Sequence, residues 1–204
     1  IHGGGMYGDK LLTRERWCEN YLKLPDNVRR RLVLENCEKC FSIEDCLYIS
    51  SKVNVPVVFD THHYNCYCEM HPSETFKPAR EYISDILDTW KRRNIKPKFH
   101  VSEQGSGRIG HHSDFVETIP DYLLEIPKKY KQHIDIMIEA KKKEQAIIKL
   151  YEKYPDLNCR NDPNMAIPGF LWSNKQYKNC ECCDPELPVK QPKKRKRVTL
   201  IIRN

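Results

Sequence analysis

The sequence lacks any long run of apolar residues, and it lacks the pattern of a secretory signal peptide. A membrane-spanning helix needs about 20 consecutive apolar residues, so the first absence argues against a membrane protein and the second against export. Hydrophobic residues make up 39% of the 204 residues, which is enough to fill one core. We therefore predict a soluble, intracellular protein with one core and no membrane partner.

The ten cysteines lack the regular spacing of a disulfide framework, so we expect reduced thiols. Cys37-x-x-Cys40 leaves open a redox pair or half of a zinc site, but no second pair at a suitable spacing supports it. We predict a polar, aromatic loop from Tyr64 to Pro72. Three further candidate zinc ligands lie in that loop: Cys66, Cys68 and His71.

A nucleotide-binding P-loop is also absent, because the glycine-rich segment Gly105–Gly110 does not contain the GxxxxGK pattern. The net charge of +7 instead favours a polyanionic partner. The basic run from 193 to 197 is typical of a nuclear import signal or a DNA-contacting tail, and an ordinary solvated tail is the alternative.

Strand patterns alternate with helix patterns along most of the chain, which predicts parallel βα units. The predicted strands are Leu32–Asn36, Val57–Asp60, Ile95–Ser102 and Ile134–Glu139, and His2-Gly3-Gly4-Gly5 is typical of the exit of a fifth. We therefore predict an α/β fold that forms a partial TIM barrel of about five parallel strands over residues 1–155. A polar extension containing proline and cysteine follows over residues 156–204.

Each predicted strand has an imidazole or a carboxylate at or near its end, and parallel strands bring such residues to one face of a barrel. The residues are His2, Glu35, Asp60, His63, His100, His112 and Glu139. The alternative is that each is an independent capping or surface residue. Mixed histidine and carboxylate ligands suit Mn, Mg or Zn, and two such ions would favour phosphodiester hydrolysis.

Motifs in the same order resemble those of the UV damage endonucleases, which are relatives of endonuclease IV among the xylose-isomerase-like TIM barrels. The resemblance covers about residues 1–150. The matching motifs are His2-Gly-Gly-Gly, Gly8-Asp-Lys10, Leu34-Glu35-Asn36, Phe59-Asp60-Thr-His-His63, Lys98-Phe-His100-Val-Ser102, His112-Ser-Asp114 and Asp135-Ile-Met-Ile-Glu139-Ala-Lys141.

The resemblance implies a metal-dependent enzyme that nicks damaged double-stranded DNA 5′ of ultraviolet photoproducts and so starts an alternative excision repair. It implies two or three divalent ions, with Mn favoured. Glu35 would bridge two of them, one also held by His2 and the other by Asp60, His100 and Glu139. His63 and His112 would hold a third ion.

The resemblance also implies that Glu35, Lys98 and Glu139 are catalytic. Lys98 matches a lysine that is carboxylated in some members of the family. The residues predicted to contact DNA are Gly4, Lys10, Asn36, Lys193, Lys194 and Arg195.

The sequence departs from the family pattern in two places. Cys37-Glu38 stands where the family has an acidic pair, and the first three strands of the family's barrel are absent. A separate N-terminal portion could complete the barrel. Two alternative functions follow: another metal-dependent enzyme of the same barrel superfamily, such as a sugar isomerase, or an inactive DNA-binding remnant.

Overall fold

The computed structural model of this protein describes residues 1–157. Strands and helices alternate along this part of the chain. The strands are β1 (Leu34–Glu35), β2 (Val57–Asp60), β3 (Lys98–Ser102) and β4 (Asp135–Glu139). The helices are α1 (Lys10–Lys23), α2 (Asp26–Arg29), α3 (Ile43–Val53), α4 (Thr61–Met70), α5 (Ile83–Lys91), α6 (Asp121–Leu124), α7 (Ile126–Tyr130) and α8 (Glu144–Lys153), with 3-10 turns at Ala79–Tyr82 and Pro155–Leu157.

The four strands form one parallel sheet in the order β1-β2-β3-β4. Successive strands are therefore neighbours, as they are in a (β/α) barrel. A parallel bridge between His2 and Glu35 adds the first residues of the chain beside β1, at the place of the predicted fifth strand. The predicted fold class, a parallel α/β sheet that forms part of a TIM barrel, is confirmed.

Burial on both faces explains why the strands are continuous apolar runs. All four residues of β2 are buried, and the side chains of Phe59 and Phe99 lie side by side in the core with no exposed surface. Helix α5 fixes the start of β2 through two hydrogen bonds. Trp90 Nε1 donates to the carbonyl of Val57 at 2.7 Å, and the amide of Val57 donates to Thr89 Oγ1 at 3.0 Å.

Local capping sets where the helices after β1 and β2 begin. A capping box begins α3, because Ser42 Oγ accepts from the amide of Asp45 while Asp45 accepts from the amide of Ser42. At α4 the cap is Asp60, whose Oδ1 accepts from the amides of His62 and His63 at 2.8 and 2.9 Å.

Two predictions about local structure were wrong. The segment predicted as a loop from Tyr64 to Pro72 is mostly helix α4, which runs through Met70 because the Asp60 cap starts a helix directly at the strand exit. The sequence also predicts that His111-His112-Ser113-Asp114 starts a helical stretch, but in the structure the next helix begins only at Asp121. The segment before it instead folds back on itself, with a bridge between Gln104 and His112.

Within residues 1–157, no helix is both long enough and apolar enough to cross a membrane. Apart from its first two residues, the predicted extension 156–204 lies outside the described part of the chain. Lys193, Lys194 and Arg195 lie there too, so their predicted DNA contacts stay predictions.

Candidate metal centre at the carboxyl ends of the strands

The parallel sheet brings the carboxylates and imidazoles of separate strands to one edge. Glu35, Asp60 and Glu139 are the last residues of β1, β2 and β4. The register places Asp60 opposite His100, and Ser102 opposite Glu139. Residues far apart in sequence are therefore neighbours here because the carboxyl ends of parallel strands share one edge.

Glu35 lies at the centre of this group, and its carboxylate contacts three imidazoles. Its Oε1 is 2.8 Å from Nδ1 of His100 and 3.6 Å from Nδ1 of His63. Its Oε2 is 3.4 Å from Nε2 of His2. One buried carboxylate therefore joins ligand candidates from three separate parts of the chain.

Glu139 extends the group to the next strand and loop. Its Oε1 lies 3.2 Å from His100 Nδ1, and its Oε2 lies 3.6 Å from His112 Nδ1. The Glu139 side chain is 39% exposed and that of His2 is 43% exposed, whereas Asp60 has no exposed surface. The group is therefore closed at Asp60 and opens to solvent beside His2 and Glu139.

Asp60 has two structural tasks besides any ligand role. One oxygen caps α4, and the other lies 3.8 Å from His63 Nδ1 and accepts from Ser102 Oγ at 3.4 Å. This arrangement fixes the carboxylate, because its partners come from both the following helix and the adjacent strand.

Asn36 is almost fully buried and positions two of the ligand candidates. Its side-chain Nδ2 donates to the carbonyl of Asp60 at 3.0 Å, and its Oδ1 accepts from the amide of Asp60 at 2.8 Å. Its own carbonyl lies 3.1 Å from His63 Nδ1. If Nδ1 carries the proton of that contact, the lone pair of His63 is on Nε2, where it can ligate a metal.

The ionisation of the central residues follows from these contacts. Burial alone would raise the pKa of Glu35, but hydrogen bonds from His100 and His2 outweigh it and hold the pKa well below its usual range. Burial lowers the pKa of His100, but its hydrogen bond with Glu35 and the nearby charge of Glu139 raise it overall. The pKa of His2 is raised mainly by its hydrogen bond with Glu35. The centre therefore favours an ionised carboxylate between imidazoles.

The side chains present fit divalent cations. Two overlapping groups each offer ligand atoms that lie within 4.8 Å of one another: His2, Glu35 and His63, and Glu35, Asp60 and His100. Ligand atoms that share one ion at bond lengths of about 2.0–2.2 Å lie roughly 3–3.5 Å apart, so side chains grouped this closely can reach a common ion. Nε2 of His100 is buried and has no hydrogen-bond partner among the described residues, as suits a nitrogen kept for a metal.

The structure brings together all seven residues that the sequence suggested as metal ligands. One grouping differs from the expected one, because His63 shares a group of ligand atoms with His2 and Glu35. Its ring nevertheless lies near the ring of His112, with centroids 5.8 Å apart. Which ions these residues hold stays a prediction.

Two other predicted site residues lie against buried carboxylates. Lys98 Nζ is 2.7 Å from Asp135 Oδ2, at the start of β3. Lys10 Nζ is 2.6 Å from both Asp45 Oδ2 and the Tyr67 hydroxyl. Burial lowers the pKa of Lys10, but these two partners outweigh it and the pKa is raised. Both ammonium groups therefore link elements of the fold.

Gly4, also predicted to contact DNA, is exposed and has a φ of +89°, a conformation that favours glycine. A Cβ atom at this position would meet nothing within 4 Å. Backbone conformation therefore accounts for this glycine, and its DNA contact stays a prediction.

His62 is a member of this site that the sequence did not single out as a ligand. Its ring is buried, with its centroid 6.2 Å from that of His63 and 6.1 Å from that of His112. Burial lowers its pKa, and Cys66 Sγ lies 3.5 Å from its Nε2. The adjacent pair of histidines after β2 could have indicated that His62 belongs to the site, since the start of a helix can turn both rings inward.

Comparisons with known proteins point to one family. The sequence model of the family described as UV-endonuclease UvdE matches residues 1–168. A protein of Acanthamoeba polyphaga mimivirus is 39% identical over 79% of this chain and 48% of its own length. The "UV DNA damage endonuclease" of Bacillus cereus strain B4264 is 37% identical over 75% of this chain and 47% of its own length.

A solved structure titled "Crystal Structure of SacUVDE" has the same fold. It matches with a TM-score of 0.61 and 31% identity, over 78% of this chain and 51% of that chain. The present chain thus spans about half the length of the first two relatives and of this structure.

Proposed function

This chain belongs to the UV-endonuclease family UvdE, and from that premise we propose that it acts in a metal-dependent DNA endonuclease. The proposed substrate is double-stranded DNA that contains ultraviolet photoproducts. The proposed reaction is hydrolysis of one phosphodiester on the 5′ side of the lesion, which starts an excision repair pathway.

The observation that carries the proposal is the position of Glu35 between three imidazoles. Its two oxygens lie 2.8–3.6 Å from nitrogens of His100, His63 and His2. A carboxylate with ligand candidates on both sides suits a bridge between two cations, and paired cations are typical of enzymes that hydrolyse phosphodiesters.

We assign the ligands of each ion from the side chains whose ligand atoms lie close together. Glu35, His2 and His63 form one group, and Glu35, Asp60 and His100 form the other, with Glu139 beside His100 and His112. Divalent ions held there supply Lewis-acid chemistry, since they polarise a phosphoryl oxygen and make water a stronger nucleophile at neutral pH. Manganese is the proposed metal, with magnesium or zinc as alternatives.

The residues of this chain supply the orientation and the charge balance. Asn36 and Ser102 hold Asp60 in place, and Asp60 in turn holds the start of α4 with its two histidines. Glu139 and His2 line the side open to solvent, so the phosphodiester would approach from that side. We propose that Lys98, which lies two residues before His100 on β3 and pairs with Asp135, contributes positive charge.

Two further parts of the proposal concern material outside the described residues. The sheet has an outer strand at β4, and the matched relatives are about twice as long as the matched region, so we propose that strands of a longer or a separate chain complete the barrel. We also propose that the basic run 193–197 directs the protein to the nucleus or contacts DNA.

Nicking of an irradiated duplex with one labelled strand tests the function. We expect metal-dependent cleavage at the 5′ side of the lesion, loss of cleavage with a chelator, and no cleavage by Glu35→Gln. The same assay is run on a longer version that includes any reading frame upstream of Ile1. If both versions bind metal yet leave the duplex intact, or if Glu35→Gln cuts as well as the unsubstituted protein, the proposal is wrong.

A further inference from the structure

The loop after β4 places two adjacent lysines beside the open side of the metal centre. Lys141 and Lys142 follow Glu139 by two and three residues, and both are exposed. Two residues of chain span about 7 Å at most, so Lys141 begins close to a carboxylate of the centre. The side chain adds further reach toward solvent.

Backbone hydrogen bonds hold this loop against the loop that carries His112. The amide of Lys141 donates to the carbonyl of Ser113 at 3.0 Å, and the amide of Lys142 donates to the carbonyl of Asp114 at 2.9 Å. Glu139 and His112 are themselves 3.6 Å apart at their nearest ligand atoms. The backbone of the two lysines is therefore fixed relative to the centre, because one of these loops follows Glu139 directly and the other carries His112.

The charges of these two lysines are not used inside the fold. Among residues 1–157, neither ammonium group lies within 4.0 Å of a carboxylate, and neither has a hydrogen-bond acceptor. The lysines at 10, 96, 98 and 149 each pair with a carboxylate at 2.5–2.7 Å. An exposed, unpaired pair of cations at the open side of an anion-processing centre is suited to phosphate.

We propose that Lys141 and Lys142 bind the phosphodiester backbone of the DNA duplex next to the phosphate held at the metal centre. This inference rests on the proposed function and names the residues that position its substrate. Each DNA strand carries one phosphate per 3.4 Å of the duplex axis, so a neighbouring phosphate lies within reach of either side chain. Lys10, which the sequence suggested for this role, is held instead by Asp45 and Tyr67.

The test is the salt dependence of duplex binding by the manganese-loaded chain, measured by fluorescence anisotropy on undamaged and irradiated duplexes. The variant is Lys141→Gln with Lys142→Gln. Each lost phosphate contact lowers the slope of log affinity against log salt by about 0.9, so we expect a decrease of about 1.8. The ratio of the duplex affinity of the unsubstituted chain to that of the variant should then fall roughly tenfold between 50 and 200 mM salt.

Lys128→Gln with Lys129→Gln is the matched control. Those two exposed, adjacent lysines lie in α7, on the segment that leads into β4 rather than the one that leaves it. We expect the control to keep the slope of the unsubstituted chain, and both double variants to keep its metal affinity and melting temperature.

The outcomes separate the two proposals. An unchanged slope in the Lys141/Lys142 variant, or an equal decrease in the control, would overturn the phosphate-binding role and leave the nuclease proposal standing. Failure of both the unsubstituted chain and the longer version that includes the upstream reading frame to bind any duplex at low salt would overturn both.

Discussion

Replacement of Glu35 by glutamine tests the centre most directly. The change keeps the shape of the side chain and removes the charge that lies between His2, His63 and His100. Both groups of candidate ligands contain Glu35, so one substitution weakens both. Loss of a residue that merely orients a metal ligand typically weakens metal binding about 10–100-fold. We therefore expect Glu35→Gln, which removes a shared ligand, to weaken Mn²⁺ binding by at least about 100-fold.

The size of the effect can be followed by thermal unfolding. At a free Mn²⁺ concentration 100 times the dissociation constant, binding stabilises the folded protein by about 2.7 kcal/mol, and a 100-fold weaker site leaves about 0.4 kcal/mol. For a chain of this size 1 kcal/mol corresponds to roughly 2–4 °C, so the metal-induced shift should fall from about 5–11 °C to about 1–2 °C. Calorimetric titration with Mn²⁺ gives the affinity independently.

The control is Glu117→Gln, which removes an exposed carboxylate paired with Lys149. That variant should show the full metal-induced shift. Circular dichroism of the metal-free Glu35→Gln protein establishes that it folds. A folded Glu35→Gln protein that keeps the full shift and affinity would refute the role of Glu35 as a shared ligand.

Three further substitutions test separate parts of the site. Asn36→Ala should lower the free energy of unfolding by about 1–3 kcal/mol in denaturant titrations, because it leaves the buried amide of Asp60 without its acceptor; an unchanged free energy of unfolding would contradict this. Gly105→Ala should weaken Mn²⁺ binding in calorimetry, since its Cβ would lie 2.4 Å from the carbonyl oxygen of His112; unchanged affinity would mean that the loop adapts. Lys10→Met should reduce thermal stability because it leaves a buried carboxylate without one of its two cations, yet keep the salt slope of DNA binding; a reduced slope would instead show a phosphate contact.

The residues of the candidate centre could be selected from the sequence because the rule that collects them is simple. In a parallel sheet of consecutive strands, the residue that ends each strand lies at the same edge as the others. Glu35, Asp60 and Glu139 each end a strand, and apolar runs mark those strands clearly. The positions of the strand ends in the sequence were therefore enough to select these residues, once a parallel order of the strands was assumed.

Residues outside the strands were harder to assign. The segment Tyr64–Pro72 was predicted as a loop on its polar and aromatic composition, whereas the Asp60 side chain caps it into helix α4. His62 lies in the same motif, directly before the predicted ligand His63, but was not itself among the predicted ligands. The Asp60 cap decides both features, because it starts α4 directly at the end of β2 and holds the amides of both histidines.

What the sequence alone determined is the set of candidate ligands and the order of the strands, because periodicity and residue type are properties of short segments. Only the tertiary structure decided which charges are used internally. Lys10 meets Asp45 and Asn36 meets Asp60 across tens of residues, whereas Lys141 and Lys142 meet no partner within residues 1–157. Ion pairing depends on distances between elements, and those distances are set by how the helices pack on the sheet.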